Sequence, residues 1–420
     1  MPDSFHVRPL ERPPDCSVTI PGSKSHTNRA LVCAALAAGT SCLQGALFAE
    51  DTAAMIGALG DLGVVIRSDE TDSTITVEGR KGMWEVTSTE LDVNQSGTTG
   101  RFVLPLLALG PGPYTLDGDP QLRERPFSQL VDALSDLGVS IEGRKLPLTV
   151  TNGSDLGGRV ALPGSTSSQF LSGLLLSAPA FSQKVEIEIE DEVVSKPYVE
   201  LTLSTMASFG VTVEHKNYQR FIVDPQPYQH TNIAIEPDAS AASYFFAAAA
   251  ITKGRVRING LDTSTVQGDL LFVDVLEKMG ATVVRGAGWT EVQGPETLSG
   301  IHISMADISD TVQTLAIVAT FATSPTTISE VGFIRYKETD RIKAVVSELS
   351  RQGIRAVELE DGLQVYPGKP NGSLVETYGD HRMAMSFALL GLSHDGIAIA
   401  DPGCVAKTFP NYFEVLATLG

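Results

Sequence analysis

Residues 335–342 read RYKETDRI and place six ionisable side chains (Arg335, Tyr336, Lys337, Glu338, Asp340 and Arg341) in eight positions of a chain that is only 19% charged. Such a cluster ahead of an apolar helix is either a solvated charge run or a set of cations aimed at an anion, with a carboxylate among them to move a proton. Other segments carry the same kinds of group. PGSKSHTNR supplies Lys24, Ser25 and Arg29, QSGTTGR supplies Ser96, Gly97, Thr98 and Arg101, and GSTSSQ supplies Ser167, Ser168 and Gln169. All three look like helix starts, where unpaired N–H groups and about half a positive charge favour anions. Capping by Ser and Thr accounts for the hydroxyls. It does not account for Lys24, Arg29 and Arg101, because a cation at the positive end of a helix is disfavoured unless an anion lies between. Gly97 would let backbone amides approach a ligand closely.

Further cations stand in QLRERPF (Arg123, Arg125), VSKPYVE (Ser195, Lys196), VAKTFPNYF (Lys407) and YGDHRMAM (Asp380, His381, Arg382). Each alone is most simply a solvated run. Together they occur in a protein of formal charge -19, so they point to a local basic pocket for a small, multiply anionic substrate. The same charge argues against nucleic acid and against an anionic membrane surface. Asp310, at a helix start among apolar residues, and Glu338, between Lys337 and Arg341, are the candidate acid and base. Asp310 could also be a plain cap, and His381 an orienting donor or a structural histidine. There is no HExxH, no clustered His/Cys/carboxylate set and no GxxxxGK, so neither metal nor cofactor is expected. Cys16, Cys33, Cys42 and Cys404 form no CxxC pair, and no signal segment or stretch of about 18 apolar residues is present, which reads as a soluble cytoplasmic protein.

One pattern must position these groups. A short strand, a polar turn and a long apolar helix recur six times; with Lys24, Ser96, Thr166, Asp238, Ser309 and Asp380 as markers the gaps are 72, 70, 72, 71 and 71 residues. Each helix leads to an alternating strand, a second helix ending near Gly, and a hairpin. The sixth copy ends at Gly420 without a hairpin, whereas SFHVRPL and CSVTIPG at the N-terminus have strand pattern and no helix of their own. They are therefore expected to complete the last repeat. The expected architecture is α/β, with two similar domains of three repeats: 1–18 plus 234–420, and 19–233. First helices that are apolar nearly all round imply helices inside and sheets outside, with substrates bound in a cleft between domains that close on them. A solenoid scaffold is the alternative, but its periods are usually shorter, roughly 20 to 50 residues.

PGSKSHTNRALVCAALA, SGTTGRF, RERPF, GSTSSQFLSGLL, VSKPYVE, EPDASAASYFFAAAA, KETDRI, GDHRMAMSFAL and AKTFPNYF, in that order from Lys24 to Phe413, resemble the motifs of the 5-enolpyruvylshikimate-3-phosphate synthase family. The resemblance implies an inside-out α/β fold and a metal-free transfer of the enolpyruvyl group from phosphoenolpyruvate to the 5-hydroxyl of shikimate 3-phosphate, by a monomer. By motif position it implies that Lys24, Ser25, Arg29, Ser167, Ser168, Gln169, Ser195, Asp310 and Lys337 hold shikimate 3-phosphate. Lys24, Gly97, Arg125, Gln169, Arg341, Arg382 and Lys407 would hold phosphoenolpyruvate. Asp310, Glu338, Lys24 and His381 would serve the chemistry.

Three positions depart from the family pattern: Gln95 where Asn is usual, Gly100 where a larger residue is common, and Phe333 where Asn often meets the sugar-like ring. They bear on phosphoenolpyruvate contacts, one shikimate 3-phosphate contact and sensitivity to glyphosate. The sister family acting on UDP-N-acetylglucosamine carries a reactive cysteine on the loop occupied here by GPGPYTLDGDPQLRERPF, which has none. A non-catalytic anion-binding scaffold would not require the Asp310 and Glu338 pair.

Overall fold

Where the six apolar segments begin, a polar side chain stops the strand and starts the helix. Ser23, Ser96, Ser167, Asp238 and Asp380 each accept a backbone N–H two or three residues on, opening Lys24–Leu36, Gly97–Leu107, Ser168–Ser177, Ala239–Thr252 and His381–Gly391. The fifth start differs: a short 3-10 turn, Ala306–Thr311, carries Asp310 and runs into the helix Val312–Thr320. The computed structural model describes residues 4–420 apart from Ser88, Asn152 and Ser154. All six helices are buried almost throughout, as a helix without a polar face must be; Ala239 to Ile251 is buried without interruption. The second helices leave part of their surface exposed, as in Arg341–Arg351, which buries Arg341, Ile342, Ala344, Val345, Glu348 and Leu349.

The chain divides into two compact units, Met1–Pro21 with Glu236–Gly420, and Gly22–Ile235. In the second unit, repeats two and three each form a four-stranded sheet from their own strands. Thr89–Asp92 pairs in parallel with Tyr114–Asp117, and Gly158–Leu162 with Val185–Ile189, each sheet being completed by an antiparallel hairpin. The first unit has the equivalent sheet in repeat five, where His302–Ser304 pairs with Thr326–Ser329.

Repeats one and four exchange their leading strands. Asp15–Val18, which precedes the first helix, pairs with Arg255–Asn259 after the fourth. Conversely Asn232–Ala234, which precedes the fourth helix, pairs with Ala38–Gln44 after the first. Of the two N-terminal strands assigned from sequence to the last repeat, only Ser4–His6 goes there, pairing antiparallel with Ala398–Ala400. The other completes the fourth repeat. Strand pattern shows that a segment will pair, while its partner is chosen by tertiary placement of sheet edges.

Candidate active site

In the Gly22–Ile235 unit the candidate groups gather at the starts of the three buried helices. Lys24, in the first turn of its helix, forms an ion pair of 3.3 Å with buried Asp51 from the start of the Glu50–Asp61 helix. Asp51 was not among the residues singled out from sequence, where it is one of two ordinary acidic residues in a first turn. Arg29, one helical turn further on, is buried and bonded to the protein itself. Its Nε donates to Thr202 Oγ1 at 2.8 Å, Nη1 to the Ser25 carbonyl at 2.9 Å, and Nη2 to Ser172 Oγ and the Tyr198 carbonyl. Burial lowers its pKa from the usual arginine value to about 10, although Tyr198 and Cys33 act in the opposite direction. Arg29 thereby ties Ser25 to the helix that begins at Ser195 and Lys196.

Arg101 plays the matching part in the second repeat. Its Nη1 donates to Gln169 Oε1 at 2.6 Å and its Nη2 to the Pro126 carbonyl, while the guanidinium lies near the rings of Phe127 and Phe170. Gln169 in turn donates to Thr98 Oγ1 at 3.1 Å. The Gln169 side chain is thus oriented from two sides, and its backbone N–H is capped by Ser167. Ser167 and Ser168 are both largely buried.

Gly97 faces Arg125: a Cβ there would come within 2.7 Å of Arg125 Nη1, so the absence of a side chain lets the guanidinium lie against the helix start. At Gly100 the space for a side chain is taken by the ring of Phe127, 3.1 Å from a Cβ, which fits the departure from the family pattern at that position. Ser195 is buried in left-handed backbone (φ 55°), a conformation that is costly for a residue with a Cβ and is commonest at functional sites. Gln95 is half-buried at the same helix start as Gly97.

In the other unit one guanidinium organises the candidates. Arg341 is 2% exposed and contacts three carboxylates: Nε to Asp380 at 2.8 Å, Nη2 to Glu338 at 2.7 Å and Nη1 to Asp310 at 3.1 Å. Burial alone would lower its pKa, but Asp380, Glu338 and Asp310 outweigh that and hold it above the usual arginine range. The remaining oxygen of Asp310 accepts from Arg382 Nη2 at 2.6 Å, so the Asp310 carboxylate is clasped between two guanidiniums. Asp380 is fully buried and caps the final core helix through Arg382 N. His381 Nδ1 lies 3.5 Å from it, and Tyr244 Oη lies 3.4 Å from Arg382 Nη1.

Lys407 is buried at the end of the 3-10 segment Pro402–Lys407. Lys337 is half-buried directly after Gly332–Tyr336, the segment that contains Phe333. Arg335, from the same charged run, faces away from this cluster and pairs with Asp340 and Glu358. RYKETDRI therefore divides into two sets of ion pairs, Arg335 with Asp340 and Glu358, and Arg341 with Glu338, Asp310 and Asp380. Among the described residues no group of three or more His, Cys, Asp or Glu could hold a metal ion, and no helix is long and apolar enough to cross a membrane.

Buried helices with sheets outside give this chain the fold of the enolpyruvyl transferases. Solved structures of similar fold are an EPSP synthase from Acinetobacter baumannii, with a TM-score of 0.83 and 27% identity over 99% of this chain and 98% of that one, and the enolpyruvyl transferase NikO from Streptomyces tendae. The latter has a TM-score of 0.77 and 17% identity, covering 99% and 97% of the two chains, and speaks to fold alone. The chain belongs to the EPSP synthase (3-phosphoshikimate 1-carboxyvinyltransferase) family, whose model matches residues 12–416. Relatives of that name are 48% identical in Nostoc sp. strain PCC 7120, over 98% of both chains, and 44% identical in Halalkalibacterium halodurans, over 98% of this chain and 93% of the other. The protein is a transferase.

Proposed function

We propose that this protein transfers the enolpyruvyl group of phosphoenolpyruvate to the 5-hydroxyl of shikimate 3-phosphate, releasing phosphate, in the cytoplasm. Both substrates are small polyanions, which suits an acidic chain whose buried cations are concentrated at helix starts. Lys24, Ser25, Arg29, Ser167, Ser168, Gln169, Ser195, Asp310 and Lys337 would serve shikimate 3-phosphate. Arg29, bonded to Ser25 and to the Tyr198 carbonyl, would act largely by holding those neighbours in place. Lys24, Gly97, Arg125, Gln169, Arg341, Arg382 and Lys407 would serve phosphoenolpyruvate, with arginine giving two-point contact to carboxylate or phosphate and lysine a point charge.

The reaction divides into addition and elimination. Asp310 takes the proton of the 5-hydroxyl as its oxygen attacks C2 of phosphoenolpyruvate, and Glu338, assisted by Lys24, delivers a proton to C3. The product is a tetrahedral intermediate with a methyl group. Glu338 then removes a methyl proton as the C2–O bond to phosphate breaks, restoring the methylene, and Asp310 returns its proton to the departing phosphate. His381, beside Asp380, would keep that carboxylate aligned on Arg341.

The observation that carries this reading is the attachment of both proton handlers, Asp310 and Glu338, to the same buried guanidinium of Arg341. Binding alone would not need two carboxylates where an anion is to be held. Phosphate release should require shikimate 3-phosphate and phosphoenolpyruvate together. Release with UDP-N-acetylglucosamine as acceptor in place of shikimate 3-phosphate would overturn the assignment.

A further inference from the structure

The buried cluster around Arg341 is attached at a second point by a carboxylate that takes no part in the chemistry above. Glu348 lies seven residues after Arg341 on the helix Arg341–Arg351, hence on the same face and about 10 Å along it. Its side chain is fully buried. It accepts from the backbone N–H of Glu376 at 3.0 Å, from Tyr378 Oη at 2.7 Å and from Arg351 Nη1 at 3.1 Å. Two of these donors belong to the short segment that joins the strand Leu374–Val375 to the helix His381–Gly391, and that segment delivers Asp380 and Arg382.

The segment is strained where Glu348 grips it. Tyr378 (φ 56°) and Gly379 (φ 67°) are consecutive left-handed residues, a conformation that a tyrosine holds only where neighbours fix it. Tyr378 is otherwise exposed, at 44%, yet its hydroxyl reaches a fully buried acceptor. The Arg341 to Asp380 contact joins the two elements at one end, and Glu348 joins them again two turns away. The final helix is held by its own packing, and the second attachment holds the loop that leads into it. With that loop held at Glu376 and Tyr378 as well as at Asp380, the helix start that carries Arg382 is fixed beside Arg341. A carboxylate buried for fold stability alone has no reason to choose this loop, since burying a charge is costly and an apolar residue would pack as well.

We infer that Glu348, acting through Tyr378 and the backbone of Glu376, is a positioning residue that sets the spacing of the Arg341 and Arg382 guanidiniums. This rests on the reading that those two guanidiniums hold phosphoenolpyruvate. The test compares the parent with Tyr378→Phe, which removes one hydroxyl, and with Glu348→Gln and Glu348→Ala, measuring KM for each substrate, kcat and Tm. The KM for phosphoenolpyruvate should rise roughly 5- to 20-fold in Tyr378→Phe and further in Glu348→Ala, short of the hundredfold that a full ångström of misplacement can cost. The KM for shikimate 3-phosphate should rise by a clearly smaller factor, because Asp310, clasped between those guanidiniums, is one of nine groups assigned to that substrate. Glu348→Gln keeps an acceptor and should fall between parent and Glu348→Ala.

If Glu348→Ala does not fold, Tyr378→Phe alone decides the matter. A lowered Tm with both KM values unchanged would overturn the inference, as would an equal rise in both. Failure of the underlying reading would look different: the parent itself would release no phosphate, or Arg382→Lys would leave the KM for phosphoenolpyruvate unaltered.

Discussion

Replacing Arg341 by methionine, which keeps length and apolar contact but removes the charge, tests the electrostatics of the cluster most severely. Three carboxylates share that guanidinium, and Asp380 is fully buried while Glu338 and Asp310 are 10% and 15% exposed. Removing one partner of a buried ion pair costs about 3–5 kcal/mol, because the remaining charge is left uncompensated. At pH 8 the variant should lose that much in the unit formed by Met1–Pro21 and Glu236–Gly420. The loss should also depend on pH. The penalty attaches to carboxylates in their ionised form, above all Asp380 and Glu338, since Asp310 keeps Arg382; it is therefore present at high pH and relieved as pH falls. Urea unfolding followed through Trp289, in a Trp84→Phe background so that the signal comes from this unit, should show a smaller gap between variant and parent at pH 5 than at pH 8. A loss below about 1 kcal/mol, or one equal at both pH values, would refute the reasoning.

Other expectations follow from single groups. Glu338→Gln should lose at least about a hundredfold in kcat while retaining affinity for shikimate 3-phosphate, and equal rates in variant and parent would remove Glu338 from the mechanism. Gly97→Ala should fold normally, since the nearest obstacle is the flexible end of Arg125, but it should raise the KM for phosphoenolpyruvate by displacing that guanidinium; an unchanged KM would detach Gly97 and Arg125 from that ligand. His26, buried and then repelled by Arg29, has its pKa lowered to about 4. Its unfolded state therefore binds the proton first, and stability present above about pH 6.5 is lost as pH falls toward 4, by up to about 3 kcal/mol. Denaturation midpoints of His26→Gln should fall less than those of the parent between pH 7 and 4.5, and parallel curves would contradict this.

The repeats were legible because a buried helix must be apolar on every side and must be started by a cap, and both demands leave marks in the sequence at regular intervals. Asp310 and Glu338 were legible as charges at or ahead of helix starts in apolar surroundings. The exchange of leading strands between repeats one and four was only half legible, since Asp15–Val18 has strand pattern but nothing in it names Arg255–Asn259 as partner. Glu348 and Asp51 were not legible. In sequence each is one more acidic residue on a helix, and their burial follows from what folds over them.

Arg29 shows the opposite limit. A cation in the first turns of a helix suggested an anion, yet Thr202, Ser172 and the Tyr198 carbonyl from distant segments, with the Ser25 carbonyl of its own helix, already meet most of its hydrogen-bonding capacity. Such satisfaction by long-range neutral partners cannot be read from local spacing. For Phe333, largely buried in the Gly332–Tyr336 turn, the structure offers no compensating feature for the amide the family often has there.

The central claim is that a carboxylic acid protonates C3 of phosphoenolpyruvate before phosphate leaves. Running the reaction in D2O and reading the product's enolpyruvyl methylene by mass spectrometry tests it directly. Deuterium should appear there, because the transient methyl group loses either a hydrogen or the newly added deuterium, and Glu338→Gln should suppress both incorporation and turnover. Product formed at full rate with no deuterium in the methylene would mean that phosphate is displaced without protonation at C3, and the assignment of Glu338 would fail.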